Sequence, residues 1–337
     1  MSESTKFSAA TLHLNIAKNI KRPYTFDPSR SFEEQRDAIE IKFRKLLKQP
    51  EKLTNPVPII EYTDNSDPLF DETRFAFETE PNFFIPAHML LPKTFNGKLP
   101  VVICIQGHSS GMHISLNRRK SEKDDSHLAL PDNDFAIQAI KRGYAVFIME
   151  QRGFGELHSD IAPNLGCNHL VMQAFELGRT FVGERTFDIS QLIDAISGYD
   201  FLDIDRIGIM GQSGGGTAVY HEACVEKRVK VVMPSGYFCT YYDSIMSMGH
   251  CTCNYIPGIL KYMEMPDLAL MIAPRPIVIV NGRFDPIFPI AAAEEGFEVV
   301  KQIYKAAGAP DNCRFIIGEG EHRFYADLAW PVFDKYI

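Results

Sequence analysis

Residues 206–216 read Arg-Ile-Gly-Ile-Met-Gly-Gln-Ser-Gly-Gly-Gly, an apolar strand pattern that runs directly into the motif Gly-x-Ser-x-Gly. In this motif the serine occupies a sharp turn from strand to helix that lifts its hydroxyl clear of a sheet, and the flanking glycines relieve the crowding. The alternative is a glycine-rich turn whose serine only caps the next helix. The apolar strand before the motif and the helical pattern after it favour the first interpretation, so we predict that Ser213 is a nucleophile.

Apolar segments typical of buried strands recur on both sides of this motif. We predict strands at residues 100–106, 144–150, 206–210, 229–234, 276–281 and 314–317, with helical patterns at 133–141, 185–202, from 213 onward and at 291–307. The continuously apolar strand cores indicate parallel strands that are covered on both faces. The repeated units of strand and helix therefore predict an α/β fold, with a mostly parallel central sheet and helices on both faces.

The first part of the chain has a different pattern. Residues 31–48 have helical periodicity after the capping residue Ser31, and a short β-rich section follows at 74–79 and 83–91. We predict that residues 1–74 are an N-terminal accessory segment with helices that packs on the core. Residues 75–337 would then form one catalytic domain. If the protein is a homo-oligomer, we expect the contact to involve this N-terminal layer.

Residues 237–273 interrupt the alternation of strands and helices with a segment rich in aromatic residues and methionine. Such residues usually form ordinary core. Their position before a late strand would nevertheless place them over the C-terminal edge of the sheet, where α/β folds bind substrate. We therefore predict that this insertion is a pocket wall or lid, with Tyr237 and Tyr241 as substrate contacts. Gln212 and Phe154 are further predicted contacts, from neighbouring loops.

A serine hydroxyl needs a histidine base and an acid that orients the histidine. In sheets of this kind the acid and then the histidine follow the serine, each at the C-terminal end of a later strand. Asp285 follows the strand at 276–281, and His322 follows the strand at 314–317. Asp285 before a proline could also simply begin a turn, and Glu321 is a rival acid. Because adjacent residues rarely face the same partner, we predict Asp285 and His322 as the partners of Ser213.

Acyl transfer also needs two donors for the oxyanion of the tetrahedral intermediate. One should be the backbone N–H of the residue after the nucleophile, here Gly214. The other should come from the loop after the strand at 100–106, which begins Gln106-Gly107-His108. We predict the N–H of His108 as the second donor, with Gly107 as the alternative one residue earlier.

Five motifs together resemble the α/β-hydrolase superfamily: Gln-Gly-His at 106–108, Glu-Gln-Arg-Gly-Phe-Gly at 150–155, Gly-Gln-Ser-Gly-Gly at 211–215, Gly-Arg-Phe-Asp-Pro at 282–286 and Glu-His at 321–322. The resemblance is to the branch with acetyl xylan esterases, dienelactone hydrolases and prolyl oligopeptidases, and it covers roughly residues 75–337. Two positions depart from the common pattern: Glu150 replaces an aspartate and Gln106 replaces a histidine. The serine at position 213 also differs from the cysteine of dienelactone hydrolases.

This resemblance implies a serine hydrolase that cleaves carboxylic esters through an acyl-enzyme, with small acyl groups such as acetyl as the expected substrates. A peptidase or amidase with the same triad is the alternative activity. A catalytically silent binding protein with a hydrolase fold is the alternative of another class, and the intact Ser213, Asp285 and His322 weigh against it.

Composition excludes several other classes of function. The formal net charge is −8, and the basic run Arg118-Arg119-Lys120 is followed by acidic residues, so we expect no nucleic-acid partner. The sequence has no signal peptide pattern and no apolar run long enough for a membrane span. The seven cysteines are scattered and odd in number, which is typical of a reducing compartment. We therefore expect a cytoplasmic protein that acts on a small-molecule ester.

The sequence predicts no cofactor, because it lacks a dinucleotide fingerprint and a phosphate-binding loop. His250, Cys251 and Cys253, with Cys239 nearby, suggest a zinc site. Structural zinc sites usually pair their cysteines at Cys-x2-Cys or wider. A Cys-x-Cys pair in an apolar insertion is more typical of buried thiols, so we predict no metal.

Overall fold

The computed structural model describes residues 8–337, in which a nine-stranded sheet has the order β1-β2-β3-β5-β4-β6-β7-β8-β9. The strands are β1 Ile59–Asp64, β2 Phe70–Glu80, β3 Phe83–Pro92, β4 Leu99–Ile105, β5 Ala145–Met149, β6 Leu202–Gln212, β7 Val229–Ser235, β8 Ile277–Gly282 and β9 Cys313–Gly318. The pairs β1–β2, β2–β3 and β3–β5 are antiparallel. Every pair from β5 to β9 is parallel.

Helices lie between and around these strands. They are α1 Ala9–Asn19, α2 Phe32–Leu47, α3 Asp125–Leu128, α4 Phe135–Ile140, α5 Cys167–Glu176, α6 Phe181–Ile196, α7 Gly214–Val225, α8 Ala269–Ile272, α9 Ile290–Ala306 and α10 Ala326–Phe333. Within residues 8–337, none of them combines the length and the apolar character that crossing a bilayer requires.

Alternate side chains of each parallel strand enter two different cores. On β4, for example, Val101 and Ile103 belong to the larger core under α2, α6, α7 and α9, while Val102 and Cys104 face α4 and α10. All four side chains are fully buried, and each large apolar side chain that leaves water contributes about 1.5–3 kcal/mol. The predicted α/β class, with a mostly parallel sheet and helices on both faces, is confirmed.

The N-terminal residues pack against this larger core. Ser31 caps α2 by accepting a hydrogen bond from the N–H of Glu34 at 3.3 Å, and the Phe43 ring stacks on His221 of α7 at 5.8 Å. The predicted boundary at residues 74 and 75 lies inside β2, and β1 joins the same sheet. The division into an accessory segment and a catalytic domain stays a prediction, and the first seven residues of that segment lie outside the described residues.

The insertion at 237–273 is irregular, with short helical turns and no strand among its residues. Many of its large apolar side chains, including Phe238, Met263 and Met265, are fully buried in the larger core. Tyr220 of α7 fixes one of its turns by donating a hydrogen bond to the Met265 carbonyl at 2.8 Å. Much of the insertion is therefore core, while residues 250–251 border an open cleft and residues 252 and 254–261 border an apolar cavity next to α1.

Candidate active site

Ser213 occupies the turn between β6 and α7. Its backbone has φ 54° and ψ −117°, a conformation that costs a residue with a side chain roughly 1–3 kcal/mol. The turn is held by a hydrogen bond from the Ser213 N–H to the Ser235 carbonyl at 2.8 Å. A Cβ atom at Gly215 would lie 2.0 Å from the Ile105 carbonyl oxygen, so only glycine allows α7 to begin this close to β4. The sequence pattern of strand, sharp turn and helix is thus present.

Asp285 and His322 meet at the ends of β8 and β9. Asp285 Oδ2 lies 2.7 Å from His322 Nδ1, while Oδ1 accepts hydrogen bonds from the N–H groups of Ile287 and Phe288 at 2.9 and 3.0 Å. The carboxyl group is therefore fixed on both of its oxygens. The rival acid, Glu321, is exposed to solvent and takes no part in this contact.

The other nitrogen of His322 is buried, and within residues 8–337 it has no hydrogen-bond partner. No bond to the Ser213 hydroxyl is formed in this conformation. The imidazole lies beside Gly236, where a Cβ atom would be 3.0 Å from His322 Cε1. Gly236 directly follows Ser235, which holds the Ser213 turn. Imidazole and serine therefore converge at the end of β7, and their catalytic roles stay a prediction.

The loop after β4 lies against the Ser213 turn. A Cβ atom at Gly107 would be 3.0 Å from the Cβ of Ser213, and one at Gly214 would be 3.7 Å from the backbone nitrogen of His108. In the part of the chain from residue 8 onward, neither the His108 N–H nor the Gly214 N–H donates a hydrogen bond to a protein acceptor. Two free donors beside the serine fit the predicted oxyanion site, and the choice between His108 and Gly107 stays open.

Glu150, at the end of β5, supports the far end of this loop. Its carboxyl group accepts hydrogen bonds from the N–H groups of Met112, at 3.2 Å, and Glu156, at 3.4 Å. Burial raises the pKa of Glu150 from 4.5 to about 7, and these two hydrogen bonds offset only part of the increase. Ionisation of Glu150 therefore opposes folding.

We expect Glu150→Gln to stabilise the protein above neutral pH. Because the pKa is higher in the folded than in the unfolded protein, the contribution of Glu150 favours folding most below pH 4.5 and is lost as the pH rises to about 7. The loss amounts to up to about 3 kcal/mol. Urea unfolding at a series of pH values should show the variant to be about 1–3 kcal/mol more stable near pH 8, with little difference near pH 4.

The exposed surface variant Glu295→Gln is the matched control, and it should unfold like the wild type at both pH values. Equal stability of Glu150→Gln and the wild type near pH 8 would contradict the assigned effect of burial.

An open cleft of about 540 Å³ begins beside the His108 loop. The Phe154 ring borders this cleft and packs edge-on against the His108 ring, at 4.9 Å between centroids. His250 and Cys251 of the insertion also line the cleft. Of the four predicted substrate contacts, the structure thus places Phe154 at the cleft.

The other three predicted contacts are buried away from the cleft. Gln212 is 5% exposed, and Tyr237 is fully buried among aromatic rings of the larger core. The Tyr241 hydroxyl bonds to Nε2 of His221 at 2.8 Å, and its ring borders a separate apolar cavity of about 490 Å³ between α1 and the insertion. The aromatic content of the insertion is explained by packing, because these rings contact Tyr220 and His221 of α7.

A group of side chains that the sequence did not bring together lies in the wall of the cleft. Ligand atoms of His108, Cys167, Cys251 and Cys253 all lie within 4.8 Å of one another. The two other residues weighed for zinc are elsewhere: His250 Nε2 contacts the Ser244 hydroxyl at 2.9 Å, and the Cys239 thiol points to the Pro289 carbonyl. Sequence spacing could not reveal this group, because His108 and Cys167 are far from the Cys-x-Cys pair along the chain.

A sequence model described as the Abhydrolase family matches residues 2–326. The chain belongs to this family. The resemblance inferred from the five motifs is therefore confirmed, and the nine-stranded sheet of this Abhydrolase member is the α/β-hydrolase sheet.

Several known proteins that resemble this Abhydrolase member in sequence or in structure are named as hydrolases or esterases. A Bacillus subtilis (strain 168) protein named "Putative hydrolase YtaP" is 24% identical over 243 residues, which are 70% of this chain and 77% of the relative. A Bacteroides fragilis structure described as a "putative acetyl xylan esterase" has a TM-score of 0.79 at 18% identity, covering 93% of this chain and 82% of its own. A glucuronoyl esterase from Solibacter usitatus has a TM-score of 0.66 at 14% identity, covering 90% of both chains.

Proposed function

We propose that this protein is a serine esterase that hydrolyses carboxylic esters through Ser213, His322 and Asp285. One observation carries the proposal: an imidazole anchored by a buried carboxylate converges with a strained serine, beside which two backbone N–H groups have no acceptor among residues 8–337. These are the parts that acyl transfer by a serine requires. The names of the related proteins support the same class of reaction.

In this proposal, His322 Nε2 takes the proton of the Ser213 hydroxyl as the oxygen attacks the ester carbonyl carbon. Asp285 holds the proton on Nδ1 and stabilises the imidazolium. The N–H groups of His108 and Gly214 stabilise the oxyanion. The intermediate collapses as Nε2 returns its proton to the departing alcohol, leaving an acyl-enzyme. Water, activated by the same nitrogen, then releases the acid and regenerates Ser213.

We propose that the substrates are esters of small acids, and that the preferred one is an acetyl ester of a sugar or another alcohol. The name of the Bacteroides fragilis neighbour supports this choice. The cleft that the substrate would enter is lined by His108, whose N–H is a proposed oxyanion donor, and by Phe154.

A panel of substrates tests the class of bond and the acyl group together. We expect kcat/KM to be highest for p-nitrophenyl acetate, to fall through the butyrate and octanoate, and to be lowest for aminoacyl p-nitroanilides. The methyl ester of glucuronic acid is a further arm, since glucuronoyl esterases share the fold. A preference for the anilides would replace the esterase proposal with the amidase alternative, and a preference for octanoate or the glucuronate ester would overturn the acetyl assignment.

We also propose that the protein works in the cytoplasm. None of the seven cysteines forms a disulfide in the structure, and six of them are buried, which fits a reducing compartment.

A further inference from the structure

The cluster formed by His108, Cys167, Cys251 and Cys253 joins three segments that are far apart in the chain. His108 comes from the loop after β4, Cys167 from the first turn of α5, and the two other cysteines from the insertion. Cys253 Sγ lies 3.1 Å from both His108 Nε2 and Cys251 Sγ, and all four ligand atoms lie within 4.8 Å of each other. From these contacts we propose that the cluster binds one zinc ion.

The donor set is that of a closed structural zinc site. Three cysteines and one histidine are an established ligand set for tetrahedral Zn²⁺, and a site with four protein ligands keeps no position open for water. Tetrahedral ligands at normal zinc distances are about 3.5–3.8 Å apart. The separations here, from 3.1 Å to at most 4.8 Å, need only small side-chain adjustments.

Arg185 provides a second, independent observation. Its side chain is buried between the rings of Phe154 and Phe181, at 4.3 and 4.8 Å, and its Nη2 lies 3.6 Å from Cys167 Sγ. Its Nε and Nη2 donate to the Arg152 carbonyl, Nη1 has no partner, and no carboxylate of residues 8–337 forms a salt bridge with it. A buried cation without an anion is costly. The cluster would supply that anion.

The charges agree with this assignment. Three thiolates and one Zn²⁺ carry a net formal charge of −1, which the guanidinium of Arg185 neutralises. With three neutral thiols, the cluster would offer Arg185 no negative charge. A disulfide between Cys251 and Cys253 would use only two of the four groups and would also leave Arg185 uncompensated.

The site bears on the proposed esterase because one of its ligands is His108. Its ring would bind zinc through Nε2, while its backbone N–H is the proposed oxyanion donor next to Gly214. Zinc would therefore fix the loop after β4 to α5 and to the insertion without touching substrate. This positioning role rests on the proposed function, whereas the metal site itself does not.

Metal analysis of the purified full-length chain tests the site directly. We expect about one zinc per chain by inductively coupled plasma mass spectrometry, and Co²⁺ exchanged into the wild type should give thiolate-to-cobalt charge-transfer absorption and the visible bands of a tetrahedral site. Cys253→Ser should retain less than about a tenth of the zinc, while Cys239→Ser, a buried cysteine outside the cluster, should retain all of it.

The cobalt spectrum needs no variant, so a folding defect in Cys253→Ser leaves the test decisive. A wild type that binds neither metal, a Cys251–Cys253 disulfide in the protein purified under reducing conditions, or full zinc content in Cys253→Ser would each overturn the site. None of these readouts depends on ester hydrolysis, so the failure of the site is distinguishable from the failure of the esterase proposal.

The positioning role has a separate readout. Because losing one oxyanion donor typically costs about 10²–10³-fold in kcat, we expect chelation of zinc to lower kcat for p-nitrophenyl acetate by at least about 10-fold with KM nearly unchanged. Re-addition of Zn²⁺ should restore kcat. An unchanged kcat in the zinc-free protein, or a rise in KM alone, would overturn the positioning role.

Discussion

Ser213→Ala should lower kcat for p-nitrophenyl acetate by about 10⁴-fold or more, because the residual rate would come only from the oxyanion donors and substrate binding. The alanine keeps the Cβ atom and the backbone conformation of the turn, so the thermal unfolding midpoint should stay close to that of the wild type. Steady-state kinetics with the acetate ester and a thermal melt of the same samples measure the two effects.

Ser247→Ala is the matched control, because Ser247 is an exposed serine of the insertion whose hydroxyl only bonds to the Tyr242 carbonyl. It should keep full activity. A fluorophosphonate probe should label the wild type and this control, but not Ser213→Ala. Labelling of Ser213→Ala, or retention of its activity, would remove Ser213 from the mechanism.

Asp285→Asn should have the second largest effect, a fall in kcat of about 10⁴-fold. The N–H groups of Ile287 and Phe288 will keep the amide oxygen of the new side chain turned toward them, since these groups already bond to Oδ1. The amide nitrogen must then face His322 Nδ1 and donate to it. This places the imidazole proton on Nε2, where it blocks acceptance of the serine proton.

Glu321→Gln is the control for the rival acid, and its kcat should stay within about 3-fold of the wild type because it makes no contact with the imidazole. Kinetics across pH separate the two variants further. Asp285→Asn should regain activity only at alkaline pH, where hydroxide can accept the proton of the Ser213 hydroxyl in place of His322. A larger loss in Glu321→Gln than in Asp285→Asn would reverse the assignment of the acid.

Much of the central fold could be predicted from the sequence, because parallel strands buried on both faces are continuously apolar. The six strands predicted from residue 100 onward occur as β4 to β9, with ends that differ by a few residues. β1 was missed because all six of its residues are exposed, and an edge strand without a buried face has no apolar alternation. The helix α5 was missed for a different reason, since its N-cap is Gly166, which has no side chain to give a capping signal.

Some residues of the candidate site could likewise be predicted from the sequence, and others could not. Residues at the ends of strands, such as Ser213 and Asp285, could be placed because the order of strands in the chain fixes which edge they share. Contacts made by the insertion could not, since composition alone does not tell a core tyrosine from one in a pocket. Tyr237 and Tyr241 were predicted to contact substrate but are core residues. The cluster around Cys253 could not be predicted because its members meet only through tertiary packing.

The position of β9 at the outer edge of the sheet has a consequence for the robustness of activity. His322 depends on a strand with one neighbour and a partly exposed face, whereas Ser213 follows β6, which has strands on both sides. Edge strands open locally at lower free energy than central ones. The proposed general base therefore follows an edge strand, so we expect mild heating to lower activity before the central strands unfold.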